Sequence, residues 1–272
     1  MIRTSFPLDL LRSVNVLDRK IYGFSIVAKN VPGVLASIGK ACADVSINII
    51  NVVISTEQVV GGNAHLFLIA DLTDSTFSPE DLKNELSKIS SIISVNIVEP
   101  FVNFIIDDTH FPLTLYNGRS RAIVIGEAIM RGFLYGLNVQ LGEEVSYIAL
   151  WHMGYSSGKE MWDLYYEWLK TIVKNLVELM LKTAIALGWW SNYEVVEYSP
   201  VNKYAKIRIW DNWECQLRGI SGRAESHFIR GMLAGFFTKH FNTECQAFET
   251  KCISKGDEYC EFEIESKSSL IT

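Results

Sequence analysis

No stretch of this 272-residue sequence is apolar for long enough to cross a bilayer. A spanning helix needs roughly 18–20 apolar residues, and the longest candidate, TIVKNLVELMLKTAIALGWW, is interrupted by Lys174, Glu178 and Lys182. The N-terminal MIRTSFPLDLLRSVNVLDRK has early acidic residues and no long apolar block, so it does not read as a secretory signal. Basic runs are missing too. The 25 Lys and Arg face 31 Asp and Glu, a formal charge of −6, with no basic-aromatic stripe to meet phosphates; direct nucleic-acid binding is not expected. No Gly-x-Gly-x-x-Gly follows a strand and no P-loop occurs, so no nucleotide cofactor is expected. Internal repeats and low-complexity tracts are absent. Five cysteines without an export signal point to reduced thiols and a cytoplasmic location.

With 49% hydrophobic and 21% charged residues, the chain is a folded globular protein. Its two halves follow different patterns. IYGFSIVAK, INIINVVIST and AHLFLIADL read as strands rich in β-branched residues. VPGVLASIGKACADV between the first two has helical spacing, with Pro32 in its first turn and Asn30 as cap or turn residue. After the VVGGNA turn, SPEDLKNELSKIS gives a second helix capped by Ser78, and SVNIVEP a last short strand. The order is βαββαβ, a ferredoxin-like unit over residues 21–100 behind an N-terminal extension, 1–20. Residues 101–118, with two prolines and Asn117-Gly118, read as a linker carrying the short strand VNFII. From 119 to 266 the pattern is helices, including a long helix or bent pair ended by Gly188. Antiparallel strands YEVVEYS and KYAKIRIWDNWEC, a helix and a closing hairpin complete it. The fold class expected is α+β.

AKNVPGVLASIGKACADVSINIINV resembles the opening of an ACT domain, a small module that binds amino acids in metabolic enzymes and regulators. The resemblance rests on Asn30, Pro32, Gly33, Leu35, Asn48 and Ile49, with Asn30 where Asp is common. It implies an amino acid-like effector held at these residues, and a homodimer built through the module. The physical basis for such a site is the exposed N–H groups of a helix start, with Gly33 allowing a carboxylate to approach closely. A simple strand-to-helix turn would use the same Pro-Gly pair.

The segment ECQAFETKCISKGDEYCEFEI, residues 244–264, gathers three of the five cysteines. Cys252 and Cys260 are separated by a turn through Lys255-Gly256-Asp257-Glu258, and Glu249 precedes them. Converging thiolates and a carboxylate suit zinc, which takes about four N, S or O ligands. Cys245 shares a strand face with Glu249 by parity, and His227 and His240 are further candidates. Buried metal-free thiols, or a redox pair, are the alternatives.

In order, IGEAIMRGFLYGL, LGWWSNYEVVEYS, FIRGMLAGFF and FETKCISKGDEYCEFEI resemble the 4-vinyl reductase domain over residues 119–265. That family includes regulators, tetrapyrrole-biosynthesis proteins and aromatic-sensing transcription activators. The resemblance implies zinc on Glu249, Cys252 and Cys260, and a fourth ligand from a Cys at the start of the preceding helix. That place falls near Ser226, which leaves Cys245, His227, His240 or water for the fourth position. It also implies a hydrophobic or aromatic ligand. His152, Trp210 and Trp213 are the pocket residues expected, within an excess of Trp and Tyr across this half. The function expected is a small-molecule sensor acting through a protein partner or its own oligomer. A reductase or tetrapyrrole-related enzyme, or a protein-complex scaffold, is the alternative.

Overall fold

The computed structural model describes residues 8–10, 12–16, 18–57, 61–116, 118–169 and 176–267. Parts of three expected features lie outside them: the VVGGNA turn at Val59 and Val60, Asn117 of the Asn-Gly turn, and residues 170–175 of the long helical run. The chain forms two compact units, Met1–Ile123 and Val124–Thr272, with antiparallel sheets throughout.

In the N-terminal unit, strands β2 (Ile21–Lys29), β3 (Asn48–Thr56), β4 (Asn63–Asp71) and β5 (Ile92–Val98) alternate with helices α1 (Val34–Ala43) and α2 (Pro79–Ser87). The sheet order is β3-β4-β2-β5. Period-2 alternation sends Phe24, Ile26, Leu66 and Leu68 to one face, where they pack with Ile38 and Cys42 of α1 and Leu82 and Leu86 of α2. Ser78 caps α2 in a capping box with Asp81. The opposite face carries Ile21, Phe67 and Ile69, covered by Val16 and Ile105. Those covering residues flank or belong to β1 (Ser13–Asn15) and β6 (Phe104–Ile106), which pair with each other. The expected extension and linker therefore supply a second layer of this unit. Arg12 bonded to Asp107 fixes the layer's end. A small hairpin, β7 (Thr114–Leu115) and β8 (Ser120–Arg121), follows.

α1 begins one turn position later than the sequence suggests. Gly33 is its N-cap with φ 91°, a conformation that favours glycine, and Pro32 lies outside the helix. Asn30 does not cap it; the side chain donates to the Gly61 carbonyl at 3.2 Å.

The C-terminal unit places helices α3 (Glu127–Leu141), α4 (Glu143–Leu169), α5 (Leu176–Ala186), α6 (Trp213–Arg218) and α7 (His227–Phe241) with strands β9 (Asn192–Ser199), β10 (Tyr204–Trp210), β11 (Cys245–Lys251) and β12 (Cys260–Ser266). The sheet order is β11-β12-β10-β9. α4 starts well before the helical run read from the sequence. It packs backbone to backbone on α7 through Gly154 and Gly158, facing Phe228 and Met232, and through Gly231 and Gly235, facing Trp151 and Tyr155. A Cβ at any of these four would overlap a carbonyl oxygen of the other helix. No described helix is long and apolar enough to cross a membrane.

Candidate functional site

β10 ends at Trp210 because Asp211 turns the chain with φ 60° and Asn212 caps α6, accepting from the Glu214 N–H at 3.1 Å. The sequence reading ran this strand on to Cys215. As a helical residue, Cys215 instead turns inward toward the closing hairpin. There its Sγ stands 3.5 Å from Cys252 Sγ and 3.6 Å from Cys260 Sγ. Glu249 completes the group, and one ligand atom from each of the four lies within 4.8 Å of the others. Cys215, Cys252 and Cys260 are buried free thiols.

The surroundings hold these atoms in place. Asn212 Nδ2 donates to Ser226 Oγ at 2.8 Å and approaches Cys260 Sγ at 3.5 Å. Ser226 donates to Glu249 twice, from Oγ at 2.6 Å and from its backbone N–H at 3.1 Å. The Glu225 N–H donates toward Cys252 Sγ, and Asp257 accepts from the Cys252 N–H at 2.8 Å across the turn that Gly256 closes with φ 101°. Taken by themselves the four acids share protons unevenly. Hydrogen bonds from Cys215 and Cys260 hold the Cys252 thiol far below its usual range, and the same contacts raise Cys260 and hold Cys215 at about 12. Burial, with Cys252 beside it, pushes Glu249 up to about 8.

This donor set fits zinc. A tetrahedral ion with Zn–S of about 2.3 Å sets sulfurs roughly 3.8 Å apart, close to the spacing seen, and three thiolates with one carboxylate complete four-coordination. Cadmium or cobalt would fit the same soft set, whereas magnesium or calcium would not.

The structure thus brings Glu249, Cys252 and Cys260 together and adds Cys215, which the sequence reading did not consider. Ser226, where the resemblance placed a cysteine, sits in the cluster as a hydrogen-bond partner, 3.1 Å from Cys215 Sγ. Cys245 lies outside it, with Sγ on the Thr243 carbonyl at 3.4 Å. Four strand residues span about 13 Å, so sharing a face with Glu249 does not mean sharing a site. His227 stacks on Tyr147 with ring centroids 3.9 Å apart. His240 is occupied by Tyr198 Oη at 2.7 Å and by the Trp162 indole N–H at 3.4 Å.

The expected pocket residues do not converge. His152 is exposed, Trp210 packs on Tyr259, and Trp213 packs on Phe228. An apolar cavity of about 10 Å³ lies instead among Met161, Tyr165, Met180, Thr183, Trp189 and Met232. That volume is near the minimum for a single water. In the N-terminal unit, Leu35 and Asn48 are exposed and Ile49 packs against the core. Gly33 has open space where a Cβ would project.

A helix-packed antiparallel sheet closed by a hairpin with a four-donor centre defines this unit as a mixed α/β module with a candidate structural metal site. Residues 206–266, which hold Cys215, Glu249, Cys252 and Cys260, match the 4-vinyl reductase domain family. Two uncharacterized proteins of Methanocaldococcus jannaschii are similar in sequence. MJ1642 is 37% identical over 71 residues, 26% of this chain and 42% of the relative. MJ0150 is 28% identical over 122 residues, 44% of this chain and 65% of the relative. The chain covers less than two thirds of the length of each. Among solved structures, the phenol-responsive sensory domain of the transcription activator PoxR shares the fold, with a TM-score of 0.50 and 16% identity. The match covers 56% of this chain and 79% of that domain.

Proposed function

We propose that this protein is a small-molecule-sensing regulator whose C-terminal unit is a zinc-locked receptor for a hydrophobic or aromatic ligand. The observation that supports this most is the four-donor cluster, set within the residues matched by the 4-vinyl reductase domain family. Cys215, Glu249, Cys252 and Cys260 would hold the ion. A closed four-ligand site leaves no open position for a substrate, so its role is to fix the hairpin against α6 and the start of α7. The ligand would enter the apolar cavity, whose Met161, Met180 and Met232 can change rotamer and open it. The fold shared with a phenol-responsive sensory domain agrees with an aromatic ligand.

The N-terminal unit is read as an ACT-like module in the ferredoxin-like arrangement, on the βαββαβ order and the strand order β3-β4-β2-β5. Its effector would be an amino acid-like carboxylate at Asn30–Leu35 and Asn48-Ile49, where no side chain caps α1. With Asn30 tied to Gly61, backbone N–H groups rather than that side chain would carry recognition. Output would pass through a homodimer or a protein partner.

Native mass spectrometry of protein purified without chelator tests the central reading. One zinc per chain, and a phenol-induced thermal shift that Met180→Trp abolishes while zinc is retained, are the expected results. Zinc-free protein with no response to any phenol would refute it.

A further inference from the structure

A second buried polar group in the C-terminal unit serves neither the metal centre nor the apolar cavity. The side chains of Arg218, Glu225 and His227 are only 8%, 3% and 9% exposed. Groups so buried are ordinarily hydrogen-bonded. Yet Arg218 Nε and Nη2, both ring nitrogens of His227, Arg230 Nε and Glu225 Oε2 have no hydrogen-bond partner among the described residues. The ion pairs around them are long. Glu225 stands 3.5 Å from Arg218 Nη1, 3.6 Å from His227 Nε2 and 3.7 Å from Arg223 Nε, against roughly 2.7–2.9 Å for a close charged pair. Tyr147 braces the group: its ring stacks on His227, and the Arg218 guanidinium lies 5.3 Å from the ring centroid.

The identity of the unpartnered atoms selects the ligand. Nε and Nη2 form the edge of a guanidinium whose two N–H groups point the same way and grip both oxygens of a carboxylate. Arg218 turns Nη1 toward Glu225 and leaves that edge free. Burial, together with the charges of Arg230, Arg218 and Arg223, lowers His227 to about 3. The ring is therefore neutral, with one nitrogen donating and one accepting. Arg218, His227 and Arg230 present several buried donors, and a carboxylate offers about four acceptor sites and no donor. Glu214, also near Arg218, does not compete, because its oxygens accept from the Phe228 and Ile229 N–H groups at 3.0 and 3.1 Å.

We propose that Arg218, His227 and Arg230 form a buried receptor for a small carboxylate, gripped by the Nε–Nη2 edge of Arg218. The site is separate from the apolar cavity. Glu225 Oε2, an acceptor without a partner, favours a carboxylate that carries a neighbouring hydroxyl. Binding here would also stiffen the loop through Glu225 and Ser226 that frames the thiol cluster.

Titration calorimetry on the full chain with its metal retained decides this, using glycolate, acetate and neutral glycolamide at about 10 mM. Glycolate should bind more tightly than acetate, and glycolamide should give no heat. Arg218→Lys keeps the charge but loses the fork, and should weaken glycolate at least about tenfold. The same weakening should appear while the zinc content and melting temperature of that variant stay at wild-type values. Met180→Trp, which fills the apolar cavity, should leave glycolate binding unchanged, so failure of the aromatic-ligand reading is told apart from failure of this one. Absence of heat from both carboxylates, equal binding of the amide, tighter binding of inorganic phosphate, or an undiminished Arg218→Lys would each overturn the proposal.

Discussion

The two units are stabilised in different ways. In the N-terminal unit, side chains interdigitate between sheet and helices on one face and between the sheet and a strand pair on the other. Gly33 and Gly39 there have open space where a Cβ would go. In the C-terminal unit, α4 and α7 meet at backbone distance through four glycines, and three thiols and a carboxylate converge in the interior. An interdigitated core tolerates small changes by repacking. A backbone contact and a four-ligand centre do not, because each depends on single atoms.

The metal centre should give the largest separation between the units. Stripping zinc with a strong chelator, or replacing Cys260 by Ser, should remove about 5 kcal/mol or more from the C-terminal unit. Differential scanning calorimetry should then show that unit's transition falling while that of the N-terminal unit stays in place. Cys245→Ser, outside the cluster, should keep the metal. Elemental analysis of both variants gives the second readout.

Glycine substitutions sharpen the same contrast. Gly158→Ala drives a methyl group into the Met232 carbonyl and should cost about 3 kcal/mol. Gly39→Ala, in α1 with nothing near the new methyl, should instead add about 0.5–1 kcal/mol. Urea unfolding of the two variants should move in opposite directions. Equal effects would mean that the glycine-lined crossing is not tight in solution.

The smallest effect is a pH dependence. His240 is lowered from an ordinary 6.5 to about 4, first by burial and then by Lys203. The unfolded chain therefore takes up the proton first. Its contribution to stability is full above about pH 6.5 and declines as pH falls toward 4, by about 2 kcal/mol once partial solvent screening is allowed for. Stability measured from pH 7 to 4 should fall less steeply in His240→Gln than in the parent.

Much of the N-terminal unit could be read directly from the chain. Alternation over Ile21–Lys29 and Asn63–Asp71 reports strands because every second residue must be buried. The Ser78-Pro79 start of α2 is a local cap, and local caps are visible in sequence. The assignment of residues 12–16 and 101–107 to that unit was not visible, since β1 and β6 are too short to show a period and pair across some ninety residues of chain.

In the hairpin, Glu249, Cys252 and Cys260 announce themselves because a turn brings near neighbours together. Cys215 does not. It comes from a helix thirty-four residues before Glu249, and only the Asp211 turn and the Asn212 cap aim it inward. The Asp-Asn pair before Trp213 was the available signal for that helix. Likewise the Gly-x-x-x-Gly spacings of α4 and α7 mark small faces, but not that those faces meet each other.

Sequence by itself determined the strands and helices with a clear period, the capped helix start and the three-donor hairpin, all of which depend on neighbours along the chain. Tertiary structure decided the fourth donor, the partner of each glycine face, the cavity lining and the unpartnered edge of Arg218. Each of these requires residues far apart in the chain to arrive within a few ångströms, and a linear pattern carries no distance across such gaps.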